Sequence, residues 1–292
     1  MKKELVFLLC TSCFTLPAHA GETMFSRAYT TDTVPEGHFE IEQLARFRDQ
    51  RSMGTYNALD LRSELEYGLS NKLQAALYVN SGYIHAKGAP DDDDPNGATG
   101  FDRTKWFLQG ISAEFIYRVM SPYTDPFGLA FYIEPEYQFT DLHNGLAYNH
   151  TFGIEYRAIF QKNFLDDRLI FVYNLVLETE AISFKDDPTY NSELDWNNEI
   201  GVSYRFMPNW FAGLEGRNHN EYGNFNTHEH SVFWVGPVLH YGGPKMWATL
   251  GWLEQVYGSP SGIDENGTFI GHDLFLRSHE RHEITFKVGI PF

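Results

Sequence analysis

Carboxylates recur at alternate positions along several stretches of the chain. Between Leu59 and Tyr67, the acids Asp60, Glu64 and Glu66 alternate with apolar residues. Because successive side chains of an extended strand point to opposite faces, this pattern predicts one ionic face and one apolar face. The charged positions predicted to share the ionic face along the chain are Glu40, Glu42, Arg46, Asp60, Arg62, Glu64, Glu66, Glu114, Arg118, Glu134, Glu136, Glu155, Arg157, Glu178, Glu193, Asp195, Glu199 and Arg205.

This mainly acidic set supports two interpretations. If the ionic face lines a water-filled passage, the acids favour cations or neutral solutes over anions. If arginines and glutamates instead pair across neighbouring strands, they form a polar core that fills the interior without conducting. The sequence leaves both interpretations open.

Histidines offer a second kind of chemistry. His228 and His230 flank Glu229, and His279 lies on a neighbouring connection. Their imidazoles could bind zinc, copper or nickel if they converge. Histidines are also ordinary residues of exposed loops, and no stretch has specific ligand spacing. We therefore expect no cofactor, with a divalent metal at one mouth of the fold as the open alternative.

A hydrolytic site is a third possibility. Ser231 follows His230, and Ser278 precedes His279, but neighbours on one strand point to opposite faces. The chain has no nucleophile elbow or other hydrolase signature. We expect a protein that is not an enzyme, and a membrane-embedded hydrolase remains an alternative.

The elements that must position these residues are strands. About twelve alternating segments follow Glu36, and almost none shows helical periodicity. Connections near residues 71, 208 and 244 are short, whereas those near 85–104, 181–191 and 258–280 are long. Short turns at one end and long loops at the other are typical of a membrane barrel, whose apolar face meets lipid. A soluble sandwich or barrel is the alternative. Aromatic residues at strand ends, Trp247 among them, are predicted to face the membrane interface.

Residues 1–20 have the charged, apolar and small-residue regions of a cleaved secretory signal peptide. The mature chain, 21–292, then forms a single all-β domain without cysteine, because Cys10 and Cys13 lie in the leader. The net charge of −17 argues against nucleic acid as a partner. No apolar run is long enough for a membrane-spanning helix.

The last strand, Ile284 to Phe292, ends in an aromatic residue, and with it the mature chain resembles Gram-negative outer-membrane β-barrel proteins. In size the chain is similar to the small twelve-stranded monomeric channels, although it could belong to an uncharacterised barrel family. The resemblance implies residence in the outer membrane after export. It also implies contact with outer-membrane lipid and recognition of Phe292 by the outer-membrane assembly machinery. The function it suggests is passive passage of small polar solutes, and the acidic ionic face adds a preference for cations. A structural or adhesive barrel with a filled lumen is the alternative.

Overall fold

Twelve antiparallel strands close into a single barrel in the computed structural model, which describes residues 24–90, 100–184, 191–259 and 274–292. The predicted leader, 1–20, lies outside the described residues. The strands are β1 Phe39–Asp49, β2 Thr55–Ser70, β3 Leu73–Pro90, β4 Gly100–Met120, β5 Gly128–Thr140, β6 Ala147–Phe164, β7 Leu169–Phe184, β8 Asn191–Met207, β9 Trp210–Gly223, β10 Thr227–Gly242, β11 Trp247–Ser259 and β12 His282–Pro291. None of the described residues forms a helix long and apolar enough to cross a membrane.

Each strand pairs with its neighbours in sequence, and β1 pairs with β12 to close the cylinder. Ile41 faces Leu65 on one side and Ile290 on the other. Phe39 and Phe292 exchange two backbone hydrogen bonds, of 3.1 and 2.9 Å, at the end of this seam. The barrel therefore has no free sheet edge.

Exposure alternates along the strands. Leu77, Phe131 and Leu214 are exposed on the outer face, whereas Glu64 and Glu114 are buried on the inner face. An apolar exterior around an ionic interior is the reverse of a soluble barrel and is the layout of a transmembrane one. The predicted all-β, twelve-stranded architecture is confirmed.

The two ends of the barrel differ in their connections. Residues 71–72, 121–127, 165–168, 208–209 and 243–246 join strands at one end, here called the turn end. At the other end, the loop end, the described connections include residues 50–54, 141–146, 224–226 and 274–281. Asn209 has φ 65°, a conformation that asparagine tolerates in a two-residue turn. The segments predicted as loops near 85–104 and 181–191 belong in part to strands, because β3, β4 and β7 extend beyond the predicted limits.

Candidate functional site

The interior of the barrel holds all eighteen charged residues predicted for the ionic face. Twelve of them line a central chamber, and six, namely Glu40, Glu66, Glu114, Arg118, Glu199 and Arg205, do not. Arg118 and Arg205 lie near the turn end, where their guanidinium groups donate to the carbonyl oxygens of Asn71 and Asp166. Sequence alternation therefore predicted which face of the sheet each side chain lies on. It did not predict how far each side chain lies from either end of the barrel.

Residues 24–36, the N-terminal segment, run inside the barrel before β1. Glu215 on β9 accepts hydrogen bonds from the backbone N–H groups of Ser26, Arg27 and Ala28 at 2.7–2.8 Å. Asn174 on β7 accepts from the backbone of Tyr29 at 2.6 Å and donates back to its carbonyl oxygen at 3.0 Å. The wall thus supplies side-chain partners to a segment whose backbone pairs with a strand at an isolated bridge, between Glu36 and Gly68 of β2.

Further along, the N-terminal segment continues to find partners on the wall. Gln161 on β6 accepts from the backbone of Thr31, and Gln74 on β3 accepts from Val34, each at 2.8 Å. Contacts to β3, β6, β7 and β9 span most of the circumference. The segment therefore crosses the bore in its turn-end half.

Two glycines make room for the N-terminal segment. A Cβ at Gly251 would lie 2.5 Å from Ser26 Cβ, and one at Gly201 would lie 2.5 Å from Phe25 Cε1. Phe25 is fully buried in an apolar cluster with Ile170, Val172 and other residues. The wall is therefore shaped to the segment as well as hydrogen-bonded to it.

Above the N-terminal segment lies the chamber, of about 370 Å³. Its floor includes Ser26, Arg27 and Tyr29, and its loop-end boundary includes residues 141–143 and 278–280. The lining is predominantly polar and charged. This chamber is the candidate functional site, because it is the place where the ionic face encloses space large enough for a small solute.

The charges around the chamber are segregated. Most arginines are paired: Arg62 with Glu134 at 2.5 Å and Arg157 with Glu199 at 2.8 Å. By contrast, Glu136, Glu178, Glu180 and Asp195 form no pair with arginine or lysine in the described part of the chain. Oxygens of the three glutamates lie within 4.8 Å of one another. We call these four residues the acidic wall, because they concentrate carboxyl groups on this side of the chamber.

At the loop end, Glu280 ties a connection to the barrel wall. Its carboxylate contacts Arg48 at 2.5 Å and Arg51 at 3.2 Å, and its backbone carbonyl accepts from the Trp234 indole at 3.1 Å. Burial raises the pKa of Glu280, but attraction to the two guanidinium groups outweighs burial and holds the pKa well below its ordinary value. The carboxylate is thus kept ionised, and residues 278–280 are held over the chamber.

Of the three histidines proposed as metal ligands, the structure brings two together. His230 and His279 are in contact at 2.6 Å, whereas His228 is exposed on the outer face and contacts Ser231 Oγ at 2.8 Å. The cause is a β-bulge between His228 and His230, because Glu229 is an extra residue that reverses the alternation. The prediction for His228 is wrong for this reason.

Sequence reasoning missed several interior residues. Glu180 continues the alternation from Glu178 and was detectable, as were His219 and Glu221 on β9. Glu215 belongs to the same face of β9, but its role in binding residues 24–36 carried no signal, because that segment has no periodicity. Trp247 was predicted at the lipid interface, but it is buried and its indole donates to Glu40 Oε1 at 2.7 Å. Phe292, the predicted assembly signal, is 62% exposed at the turn end.

The fold has relatives among solved structures. The chain is similar to the COG4313 outer membrane channel from Pseudomonas putida F1, with a TM-score of 0.56 and 10% identity over 90% of this chain and 98% of that chain. A second similar structure is the NanC porin, with a TM-score of 0.44 and 12% identity over 86% of this chain and 98% of that chain. The chain is also similar to the beta domain of the Bordetella autotransporter Brka, with a TM-score of 0.46 and 11% identity over 87% of this chain and 98% of that chain. At these identities the likeness concerns the fold alone, and the likeness to the Pseudomonas putida channel confirms the predicted resemblance to outer-membrane barrels.

No curated protein matches the sequence. The model of one family, described as a family of unknown function (DUF6662), matches residues 17–292. That range contains every strand of the barrel, the N-terminal segment and the chamber. The chain therefore belongs to the family of unknown function DUF6662.

Proposed function

We propose that the protein is an outer-membrane channel through which small polar solutes pass passively, with cations favoured. The acidic wall is the observation that carries this proposal. Four carboxyl groups that pair with no arginine or lysine of the described residues face the chamber, where a permeating cation would supply positive charge. The printed description of the Pseudomonas putida relative as an outer membrane channel is consistent with it.

The size of the chamber sets the class of solute. About 370 Å³ is near the lower end of the range for small-molecule pockets, roughly 300–1,000 Å³. Inorganic cations and small polar organic molecules are of this size, and folded macromolecules are not. Selection here would rest on charge and size, with no covalent step.

The N-terminal segment must move for passage to occur, because it crosses the bore below the chamber. It is held mainly by hydrogen bonds to the side chains of Glu215, Asn174, Gln161 and Gln74, and its strand pairing is an isolated bridge at Glu36. Such a segment can leave the wall without breaking the barrel ladder. We therefore infer a closed resting state from which the segment is transiently displaced.

Residence in the outer membrane, export through the leader 1–20 and assembly through recognition of Phe292 belong to the same proposal. The apolar exterior is suited to contact with lipid. Because the barrel is closed, every strand has a neighbour on both sides to hydrogen-bond its backbone within the bilayer. Lipid, the assembly machinery and small solutes are then the partners. No covalent chemistry and no cofactor are needed for this function.

The deciding experiment is electrical recording from the refolded mature protein in a planar bilayer under a salt gradient. We expect infrequent cation-selective openings from the full chain, and sustained ones from a variant lacking residues 24–36. A truncated variant that folds as a barrel and never conducts would refute the channel. It would support the structural or adhesive alternative, which the ion-paired interior favours.

A membrane-embedded hydrolase has one observation in its favour, the 2.8 Å contact between His228 Nε2 and Ser231 Oγ. However, the Ser231 hydroxyl donates to Asn220 Oδ1 at 2.7 Å, and no described residue orients the second nitrogen of His228. We therefore propose that the protein is not an enzyme. Labelling of Ser231 by a fluorophosphonate, abolished in Ser231→Ala, would reverse this proposal.

A further inference from the structure

Three histidines and one glutamate converge inside the barrel near the loop end. His219 and Glu221 lie two residues apart on β9, His230 lies opposite Glu221 on β10, and His279 lies on the connection before β12. We call these four residues the histidine cluster. His219, Glu221 and His279 line the same chamber as the acidic wall.

The potential ligand atoms are close together. His230 Nε2 and His279 Nε2 are 2.6 Å apart. Glu221 Oε2 is 3.6 Å from His230 Nε2 and 3.8 Å from His219 Nε2. One donor atom from each of the four residues lies within 4.8 Å of all the others. Four donors from three separate chain segments therefore surround one point.

His219 is oriented so that one nitrogen faces this point without a partner. Its Nδ1 lies 2.8 Å from Asn197 Oδ1, and in the tautomer that donates to this oxygen the lone pair is on Nε2. His219 is 3% exposed, and its Nε2 has no hydrogen-bond partner. A buried nitrogen is normally hydrogen-bonded, so one without a partner calls for an explanation. Metal-binding histidines show this arrangement, in which the second nitrogen donates to a neighbouring oxygen.

The surroundings suit a bound cation. The Phe275 ring stacks on His230 at a centroid distance of 4.6 Å, and Trp234 meets His279 edge-on at 5.3 Å. These rings limit the motion of two imidazoles. Asp195 Oδ2 lies 4.0 Å from His219 Nδ1 and adds negative charge nearby. Arg217 lies 3.5 Å from His219 Nδ1, on the side away from the cluster's Nε2, and its charge is compensated by Glu283 at 3.5 Å.

We propose that the histidine cluster binds one divalent transition-metal ion of the zinc type through His219, His230, His279 and Glu221. Three imidazoles and a carboxylate match the preference of such ions for nitrogen and oxygen ligands. Zinc–nitrogen bonds of about 2.0–2.1 Å in a tetrahedral site place two ligand nitrogens about 3.3 Å apart. His230 and His279 would therefore separate by less than 1 Å.

Four protein ligands make a closed site, which is typical of a structural metal rather than a catalytic one. The ion would join β9, β10 and the connection that carries His279, and would thereby fix residues 278–280 over the chamber. The proposal does not depend on the proposed channel function, because binding can be measured without any transport assay.

The test uses the untagged, refolded mature protein in detergent, because an affinity tag of histidines would bind the same ions. Zn²⁺ is titrated calorimetrically, and Co²⁺ is added separately to record its visible absorption, which reports tetrahedral coordination by nitrogen. We expect one ion per chain. We expect His219→Ala and His279→Ala each to weaken Zn²⁺ binding more than tenfold, and Asn197→Ala to weaken it about 10–100-fold through the orientation of His219.

His228→Ala is the matched control, because His228 lies two residues from a ligand but outside the cluster, and we expect it to bind like the unsubstituted protein. β-sheet circular dichroism and heat-dependent electrophoretic mobility identify folded barrels, and only these are compared. The proposal is overturned if the folded unsubstituted protein binds no Zn²⁺ stoichiometrically, which would leave a hydrogen-bonded histidine cluster only. Equal loss of binding in His228→Ala would also overturn it.

Discussion

Glu215 on the barrel wall accepts a 2.7 Å hydrogen bond from the backbone N–H of Arg27 inside the bore. The two residues are 188 positions apart in sequence. Ser26 and Ala28 donate to the same carboxylate, so one side chain satisfies three consecutive backbone groups. This contact fixes the N-terminal segment across the bore and determines how the proposed channel closes.

Crowding the N-terminal segment should open the bore. In Gly251→Ala the new methyl would lie 2.5 Å from Ser26 Cβ, and overpacking of this kind costs about 1–3 kcal/mol. Because about 1.4 kcal/mol changes an equilibrium tenfold, we expect the open fraction in bilayer recordings to rise about tenfold. Gly216→Ala is the control, since its methyl meets no atom closer than 3.4 Å. Identical open fractions in the two variants would show that the segment does not close the bore.

Neutralising the acidic wall should reduce cation preference. We expect Glu178→Gln with Glu180→Gln to lower the cation-to-anion permeability ratio by at least about twofold, because two negative charges leave the chamber. Reversal potentials under a salt gradient measure this ratio. The matched double variant Glu229→Gln with Glu254→Gln removes the same charge from acids outside the chamber and should leave the ratio unchanged. An unchanged ratio in the first variant would contradict the assignment of selectivity to the acidic wall.

Two ion pairs near the loop end should differ in their contribution to stability. Glu280 is buried against Arg48 and Arg51, so Glu280→Gln leaves buried cations undercompensated and should cost about 3–5 kcal/mol in free energy of unfolding. Glu254 and Arg281 are each 39% exposed, so Glu254→Gln should cost at most about 1 kcal/mol. Urea titration of the refolded protein in lipid vesicles measures both. Equal losses would argue against the buried pair as the main tie of this connection.

The terminal aromatic residue should matter for assembly more than for stability. We expect Phe292→Ala to reduce the amount of folded protein in the outer membrane of cells but to refold normally in detergent. Phe286→Ala is the control, because Phe286 is also a lipid-facing aromatic residue of β12 and is 47% exposed. Western blots of outer-membrane fractions, with and without heating, measure folded protein. A similar decrease for both variants would indicate a general loss of apolar surface rather than recognition of the final residue.

The barrel was predictable because its physical cause is local. A strand with lipid on one side and a polar interior on the other needs apolar and polar side chains at alternate positions. Leu65 between Glu64 and Glu66 shows this pattern. The terminal strand and the short turns near 71 and 208 also follow from local sequence. Strand number and orientation could therefore be inferred without long-range information.

The contents of the bore were not predictable in the same way. Residues 24–36 show no periodicity, because they are matched to Glu215, Asn174 and Gln161 on strands far away in sequence. The bulge at Glu229 reverses the facing of His228 relative to His230, and strict alternation cannot reveal an extra residue. Trp247 is aromatic at a strand end, yet Glu40 provides an interior hydrogen-bond partner that only the closed barrel supplies. In each case the deciding contact is non-local.

The position of the N-terminal segment also constrains the order in which the protein folds. Its partners lie on β3, β6, β7 and β9, and these strands surround a common interior only after β1 has paired with β12. Pairing the first strand with the last brings together residues about 240 positions apart, which makes it a slow, entropically costly step. The segment's contacts are therefore complete only in the closed barrel, and we expect its insertion to follow ring closure instead of guiding it.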